Sequence, residues 1–295
     1  MSLHPRYARP RSAAQAVDLM SQLSAGATVI AGGQELMPHM NYGRLMPSVY
    51  VDINALPELR GMQEVGDAVS IGALTVHREL QREPLVMRSL PLLAAAAAAV
   101  GGGRQVHNRG TLGGNVVAMH PLYDILPPLL ALGAEAEILD PAGSRRVPLA
   151  ALLTETRHGL GSTALMLRVW VRSMSPRAGW AYEKLKVTDG SYGSANAAAV
   201  VTMEGRRLTG VRVVIGAVAD KPIDASAALR PLLGRAFDER MARDIETTCA
   251  ALVKNPLDDQ QGQAEWRRAM AGVVARRAVA AAVAQVDARG GGSGT

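Results

Sequence analysis

Aromatic side chains are scarce in this chain: they make up 3% of its 295 residues, and Phe237 is the sole phenylalanine. Hydrophobic residues still reach 48%, so the core must be built from Ala, Val, Leu and Met. The scarcity also counts against single-stranded nucleic acid as a partner, because base stacking needs aromatic platforms beside the basic residues. The net charge is +6, but Arg and Lys are interleaved with acids, which implies attraction for small anions rather than a nucleic-acid groove. Cysteine is nearly lacking too. Cys249 alone excludes an internal disulfide and an iron–sulfur cluster, which takes about four ligands. It reads as a small buried hydrophobe, and a chain without disulfides fits a reducing cytoplasm. The longest apolar run, residues 90–100, is too short to span a bilayer, and residues 1–7 carry no apolar leader. The six histidines show no metal-binding spacing. Neither a Walker A sequence nor a Gly-x-Ser-x-Gly elbow occurs.

Glycine, by contrast, is plentiful and placed. Two clusters, Ala31-Gly32-Gly33-Gln34 and Thr111-Leu112-Gly113-Gly114-Asn115, combine glycines with small polar groups. Glycine lets backbone approach a ligand closely, and successive N–H groups in such a turn make an anion-binding concavity. A pair of them suits an extended, doubly anionic ligand such as the diphosphate of a dinucleotide. Each cluster taken singly reads equally well as a tight turn. A third segment, Gly159-Leu160-Gly161-Ser162-Thr163-Ala164, has the spacing of a dinucleotide fingerprint. The polar residues before it, Thr154-Glu155-Thr156-Arg157-His158, make no buried strand, as that fingerprint requires.

Apolar spacing predicts a Ser-capped helix over residues 12–24, strands at 27–31, 49–53 and 69–73, and a helix capped by Thr75 running to about residue 81. An alanine-rich helix is predicted for 91–100, a loop for Gly101-Gly102-Gly103, a helix for 126–132 and a strand for 136–139. Three strands follow at 182–187, 197–204 and 211–218, antiparallel in at least one pair. Helices are expected beyond residue 227. The last, about 264–286, carries Trp266, Met270, Val273, Val274 and Ala278 as a core stripe. The expected division is an α/β unit over 1–56, a second over 57–174, a sheet-plus-helices unit over 175–288 and an unstructured tail over 289–295.

Taken in order, the motifs resemble the flavoprotein (medium) subunits of molybdenum hydroxylases, the family of carbon monoxide dehydrogenase and xanthine dehydrogenase. Ala31-Gly32-Gly33-Gln34-Glu35-Leu36-Met37-Pro38 is similar to the first FAD loop of that family, and Asn108-Arg109-Gly110-Thr111-Leu112-Gly113-Gly114-Asn115 to the second. Val51-Asp52-Ile53-Asn54, Ile71-Gly72-Ala73-Leu74-Thr75-Val76-His77, Asp124, Tyr182-Glu183-Lys184, Val214-Ile215-Gly216-Ala217-Val218 and Trp266-Arg267-Arg268 add to the likeness, which covers nearly the whole chain. Glu35, His107, the bare Gly101-Gly102-Gly103 connection and His120-Pro121-Leu122-Tyr123-Asp124 depart from the family pattern.

The resemblance implies an α+β protein: an FAD-binding domain of two α/β subdomains and a C-terminal domain with a three-stranded antiparallel sheet and helices. It implies FAD as cofactor, its diphosphate held by the backbone of Ile30, Ala31, Gly32, Gly33, Gln34, Glu35 and Leu36 and of Thr111, Gly113, Gly114 and Asn115. Asp124 would serve the ribityl or adenosine side, Lys184 the isoalloxazine and Tyr192 a flavin face, with further contacts from Gly101 and Met166. The implied partners are a molybdopterin-containing large subunit and a 2Fe-2S small subunit, in a dimer of heterotrimers. The function implied is electron transfer from those clusters to an external acceptor, in the cytoplasm, without nucleic acid or a membrane span. A stand-alone flavin oxidase or reductase and an assembly module that has lost FAD are the alternatives.

Overall fold

A computed structural model of the protein describes residues 5–23, 26–155 and 160–290. The chain divides into two compact units. The first contains residues 1–88, 103–119 and 133–172; the second contains 89–102, 120–132 and the chain from 173 onward.

In the first unit, β1 (Arg6–Ala8), β3 (Val49–Asp52) and β2 (Ala27–Ile30) form a parallel sheet in the order β1-β3-β2. Helix α1 (Ala13–Leu23) opens where the Ser12 hydroxyl accepts the Gln15 N–H at 3.1 Å, as a capping serine should. Its Ala16, Val17 and Met20 bury against Val51, Ile53 and Leu59. Helix α2 (Leu36–Asn41) follows the first glycine cluster. A five-stranded antiparallel sheet completes the unit in the order β4-β5-β8-β6-β7: β4 (Met62–Val65), β5 (Ala68–Gly72), β6 (Glu135–Asp140), β7 (Gly143–Pro148) and β8 (Leu165–Arg172). Around it run α3 (His77–Arg82), α4 (Pro84–Ser89, whose last residue falls to the second unit), α6 (Gly103–Arg109), α7 (Leu112–Ala118) and α9 (Leu149–Glu155).

The second unit is built on a four-stranded antiparallel sheet, β12-β11-β10-β9, from β9 (Gly179–Lys186), β10 (Gly193–Glu204), β11 (Arg207–Gly216) and the short β12 (Ile223–Asp224). One face carries Ala195, Ala197, Ala199, Val201, Val213 and Ile215. It packs on Ala271, Val274, Ala275, Ala278 and Ala282 of α12 (Ala264–Gly290) and on Met241, Ile245 and Cys249 of α11 (Glu239–Leu252). Small facing side chains let helix and sheet approach closely, which is how a core nearly free of aromatics stays filled. Helices α5 (Pro91–Ala99) and α8 (Leu126–Ala131) lie on the sheet as well, α5 against β9 and α8 against β10 and β11. Helix α10 (Ser226–Leu229) joins β12 to the helical region. Cys249 is buried, and burial pushes its thiol up to about 12.

Several expectations need correcting. The helix after Thr75 starts later: Val76 is its cap, the Glu79 carboxylate takes the Val76 N–H at 2.9 Å, and Thr75 instead gives its carbonyl to the Leu112 N–H. Gly103 is not loop but the first residue of α6. A fourth strand, β12, extends the three-stranded sheet. Trp266 leaves the core stripe and is 42% exposed, while its neighbour Arg267 is fully enclosed. The Arg267 guanidinium donates to the carbonyls of Ser194, Gly262 and Ala217 and pairs with Asp259. The 159–164 segment runs into strand β8 rather than a helix, so it lacks the context of a dinucleotide fingerprint; Gly159 lies outside the described residues. The expected tail lies outside them from residue 291. Among the described residues, α12 is the one helix long and apolar enough to cross a membrane, and its buried residues serve the sheet core.

Candidate functional site: two glycine loops and a buried acid–lysine pair

Strand β2 ends at Ile30, and the first glycine loop turns from there into α2. Its carbonyls are drawn into the protein. The Asn54 amide donates to Ala31 O at 2.9 Å and Ile30 O at 3.4 Å, the Gln34 side chain reaches Gly32 O at 3.4 Å, and the Met37 N–H takes Gly33 O at 2.9 Å. Asn54 is itself held by Asp52, which accepts from its backbone and side-chain nitrogens at 3.0 and 2.7 Å. Among the described residues, no protein acceptor takes the N–H of Gly32, Gly33, Gln34 or Leu36. The loop therefore offers donors and hides acceptors. Glu35 turns along the helix to His39, 3.0 Å away.

The second loop is built differently. Residues 73–77 and 110–113 zip together: Gly113 N–H to Ala73 O at 2.8 Å, Leu112 N–H to Thr75 O at 2.8 Å, and His77 N–H to Gly110 O at 3.0 Å. Thr111 caps α7, its hydroxyl taking the Gly114 N–H at 3.1 Å and its carbonyl the Asn115 N–H at 2.9 Å. The amides of Leu112, Gly113, Gly114 and Asn115 thus already have partners. What this loop leaves open is the Asn115 side-chain oxygen, buried with no hydrogen-bond partner.

The two loops touch. A Cβ on Gly32 would sit 1.8 Å from the Arg109 carbonyl oxygen, and one on Gly113 would meet the Ala73 side chain at 2.7 Å. Only glycine permits either approach. A row of open amides and a backbone junction that no side chain can enter are what a phosphate-bearing ligand needs, so these residues fit the diphosphate of FAD; the orphaned Asn115 oxygen, an acceptor, suits a hydroxyl or N–H of the same ligand. Met166 is 2% exposed in β8, opposite Ile138.

The second unit holds the remaining residues. Asp124 lies just before α8 with its side chain 3% exposed. Tyr182 donates to its Oδ1 at 2.7 Å, and Lys184 Nζ reaches its Oδ2 at 2.8 Å. Lys184, 6% exposed, also donates to the Ala99 carbonyl at 2.9 Å. Burial pushes the Asp124 carboxyl above its ordinary value against the pull of the Lys184 ammonium and the Tyr182 hydroxyl. Burial, then the nearby Asp124, push the Tyr182 phenol well upward. Gly101 packs on the turn that carries Tyr192: its Cβ would come within 2.6 Å of Gly190 O, and the Gly102 N–H bonds to that oxygen at 2.8 Å. The Tyr192 ring stacks with His120 and Tyr123, centroids 5.5 and 6.0 Å away. Asn54 and Tyr182 were quoted in the sequence motifs but given no task. The signal for Asn54 is its place two residues past a strand-ending Asp; no local signal marks the pairing of Tyr182 with Asp124.

Comparison with known proteins agrees with this geometry. Residues 2–171 match the family described as the FAD binding domain in molybdopterin dehydrogenase, and residues 180–282 match the CO dehydrogenase flavoprotein C-terminal domain. The chain is 36% identical to the carbon monoxide dehydrogenase medium chain of Hydrogenophaga pseudoflava, over 95% of this chain and 97% of that one. It is 31% identical to the nicotine 6-hydroxylase medium subunit of Paenarthrobacter nicotinovorans, over 95% and 98%. Among solved structures, it resembles a chain of the H. pseudoflava carbon monoxide dehydrogenase that lacks the Mo-pyranopterin moiety, with a TM-score of 0.92, 35% identity and coverage of 97% and 99%. The fold and the phosphate-fitting loops define an FAD-binding flavoprotein. The chain belongs to the FAD-binding medium subunits of the molybdenum hydroxylases. It is an FAD-carrying, electron-transferring oxidoreductase component rather than a stand-alone oxidase or a module that has lost its cofactor.

Proposed function

We propose that this chain passes electrons from the 2Fe-2S clusters of a small partner subunit, through FAD, to an external acceptor. A molybdopterin-containing large subunit oxidises the substrate, and the assembly is a cytoplasmic dimer of heterotrimers. The relatives support the division of labour. Medium chains of nearly equal length serve enzymes named for carbon monoxide and for nicotine, so the substrate is chosen elsewhere in the complex. FAD supplies the redox chemistry; this chain holds and tunes it.

In this reading the open amides of Gly32, Gly33, Gln34 and Leu36 take the diphosphate, and Ile30 and Ala31 shape the strand end that presents them. Thr111, Gly113 and Gly114 serve chiefly by close packing, and Asn115 brings its side chain. Met166, Gly101, Asp124, Lys184 and Tyr192 are assigned to the cofactor by the family resemblance. The observation that carries the proposal is the Gly32–Arg109 junction beside four N–H groups without protein acceptors.

Asn115→Leu tests it. Leucine keeps the branched outline of asparagine, though it is bulkier, and removes a buried oxygen without a partner, a group that costs about 1–3 kcal/mol when unsatisfied. The expected result is at least tenfold weaker FAD binding in a fluorescence titration, with no loss of thermal stability in the FAD-free protein. Unchanged FAD affinity would remove Asn115 from the site.

A further inference from the structure

In a trans peptide the carbonyl of one residue and the N–H of the next share a plane and point in opposite directions. Each carbonyl of the first glycine loop that the protein anchors therefore aims the following N–H away from the anchor. The Gly33 carbonyl, held by the Met37 N–H at 2.9 Å, aims the Gln34 N–H. The Gly32 carbonyl, reached by the Gln34 side chain at 3.4 Å, aims that of Gly33. The Ala31 carbonyl aims that of Gly32, and among the described residues the Asn54 side chain is its one donor, at 2.9 Å. Ile30, by contrast, gives its carbonyl to the Ile53 N–H at 3.2 Å as well as to Asn54. Asn54 is fixed in turn. Asp52 Oδ1 accepts from its backbone and side-chain nitrogens, and Asp52 Oδ2 accepts from the Tyr7 hydroxyl. Asp52 ends β3, level with Ile30 at the end of β2, and Tyr7 lies in β1 on the other side of β3. These bonds cross the parallel sheet toward the carboxyl ends of its strands, the edge where open α/β sheets bind ligands. The Asp52 side chain is 7% exposed. Burial alone would raise its carboxyl; the bonds from Tyr7 and Asn54, with Arg9 nearby, outweigh that and hold it below its ordinary value, so both oxygens remain acceptors. Arg9 itself, 3.4 Å from Asp52 and 70% exposed, adds little in water.

We propose that Tyr7, Asp52 and Asn54 are a relay of positioning residues for the cofactor: Tyr7 fixes the acid, the acid fixes the Asn54 amide, and the amide turns the Ala31–Gly32 peptide so that its N–H faces the diphosphate. The proposal rests on the reading that the open amides of this loop hold that diphosphate. Without the Asn54 amide the Ala31 carbonyl has no donor, and the peptide is free to turn its oxygen toward the ligand, where it repels the phosphate instead of binding it. No member of the relay is assigned to the isoalloxazine, so the relay governs affinity and leaves the flavin potential alone.

The experiment is a double-mutant cycle on the assembled complex, stripped of FAD and reloaded. It reads FAD affinity by fluorescence titration, the phosphorus NMR resonances of the bound diphosphate, and the flavin midpoint potential. Asn54→Ala is expected to weaken FAD binding about tenfold or more and to move the phosphorus resonances, with the potential unchanged. Tyr7→Phe should weaken binding about threefold and move the same resonances in the wild-type background, and do neither in Asn54→Ala. Arg9→Met, which removes only the exposed ion pair, should stay within about twofold. Tyr7→Phe changes a half-exposed ring, and it serves alone if the Asn54→Ala complex does not assemble. Unmoved resonances with affinity kept within about twofold in Asn54→Ala or in Tyr7→Phe would overturn the proposal. So would equal effects of Tyr7→Phe in both backgrounds, or a flavin potential that moves with the affinity. Phosphorus resonances in the wild-type complex that match those of free FAD would instead refute the reading beneath it.

Discussion

Gly32 shows how much can depend on a hydrogen atom in place of a methyl group. In Gly32→Ala the new carbon would have to share space with the Arg109 carbonyl at 1.8 Å, and the neighbour is backbone that cannot swing aside. The two loops would be forced apart. The expected cost is at least about 2 kcal/mol of stability, at the upper part of the range for overpacking, measured as a lower urea midpoint, together with loss of retained FAD. The glycines of both loops stood out in the sequence, but each pair alone reads equally well as a tight turn; their order along the chain and the likeness to two FAD loops are what marked them as candidates. The split between them was not legible. That one loop presents N–H groups while the other has used its own depends on Asn54 and on the segment around Thr75, partners that spacing alone does not reveal. The Asp124–Lys184 pair was hidden for the same reason: its members were recognised singly, sixty residues apart, with no local pattern joining them.

Among elements, α11 offers the cleanest test of local coding. Asp238 stands at its start with extended backbone and accepts the Met241 N–H at 2.8 Å. Asp238→Ala is expected to cost about 1 kcal/mol, read as a lower thermal midpoint with unchanged FAD binding, since α11 packs in the sheet core of the second unit. Strands β3, β5, β6, β10 and β11 and the long helices announced themselves through apolar runs and periodicity, but β8, in the middle of the five-stranded sheet, did not. Nor did the edge strands β1, β4 and β7. β7 is almost entirely exposed, β4 mostly so, and β1 has three residues; a strand with no buried face has no alternation to read. Helix α6 buries none of its residues and was missed for the same reason.

At the scale of the whole molecule, stability should fall in mild acid because of His77. The ring is 2% exposed, and burial, then the nearby His107, hold it near 4 instead of 6.5. Between those values the unfolded chain binds a proton that the folded protein refuses, so stability rises with pH across the window. The contribution is complete above about 6.5 and is lost as pH falls toward 4, for a total of about 3 kcal/mol. Urea unfolding at pH 7.5, 5.5 and 4.5 should show this slope in the wild type and a flatter one in His77→Phe.

The route of the chain has a consequence for biosynthesis. Residues 89–102 and 120–132 belong to the same compact unit as α12, which begins only at residue 264. A nascent chain therefore makes α5 and α8 long before the β-strands and final helix of their unit have left the ribosome. Their apolar surfaces must wait until β9, β10 and β11, the strands they pack on, have been made, a demand on chaperones that a chain divided end to end would not make.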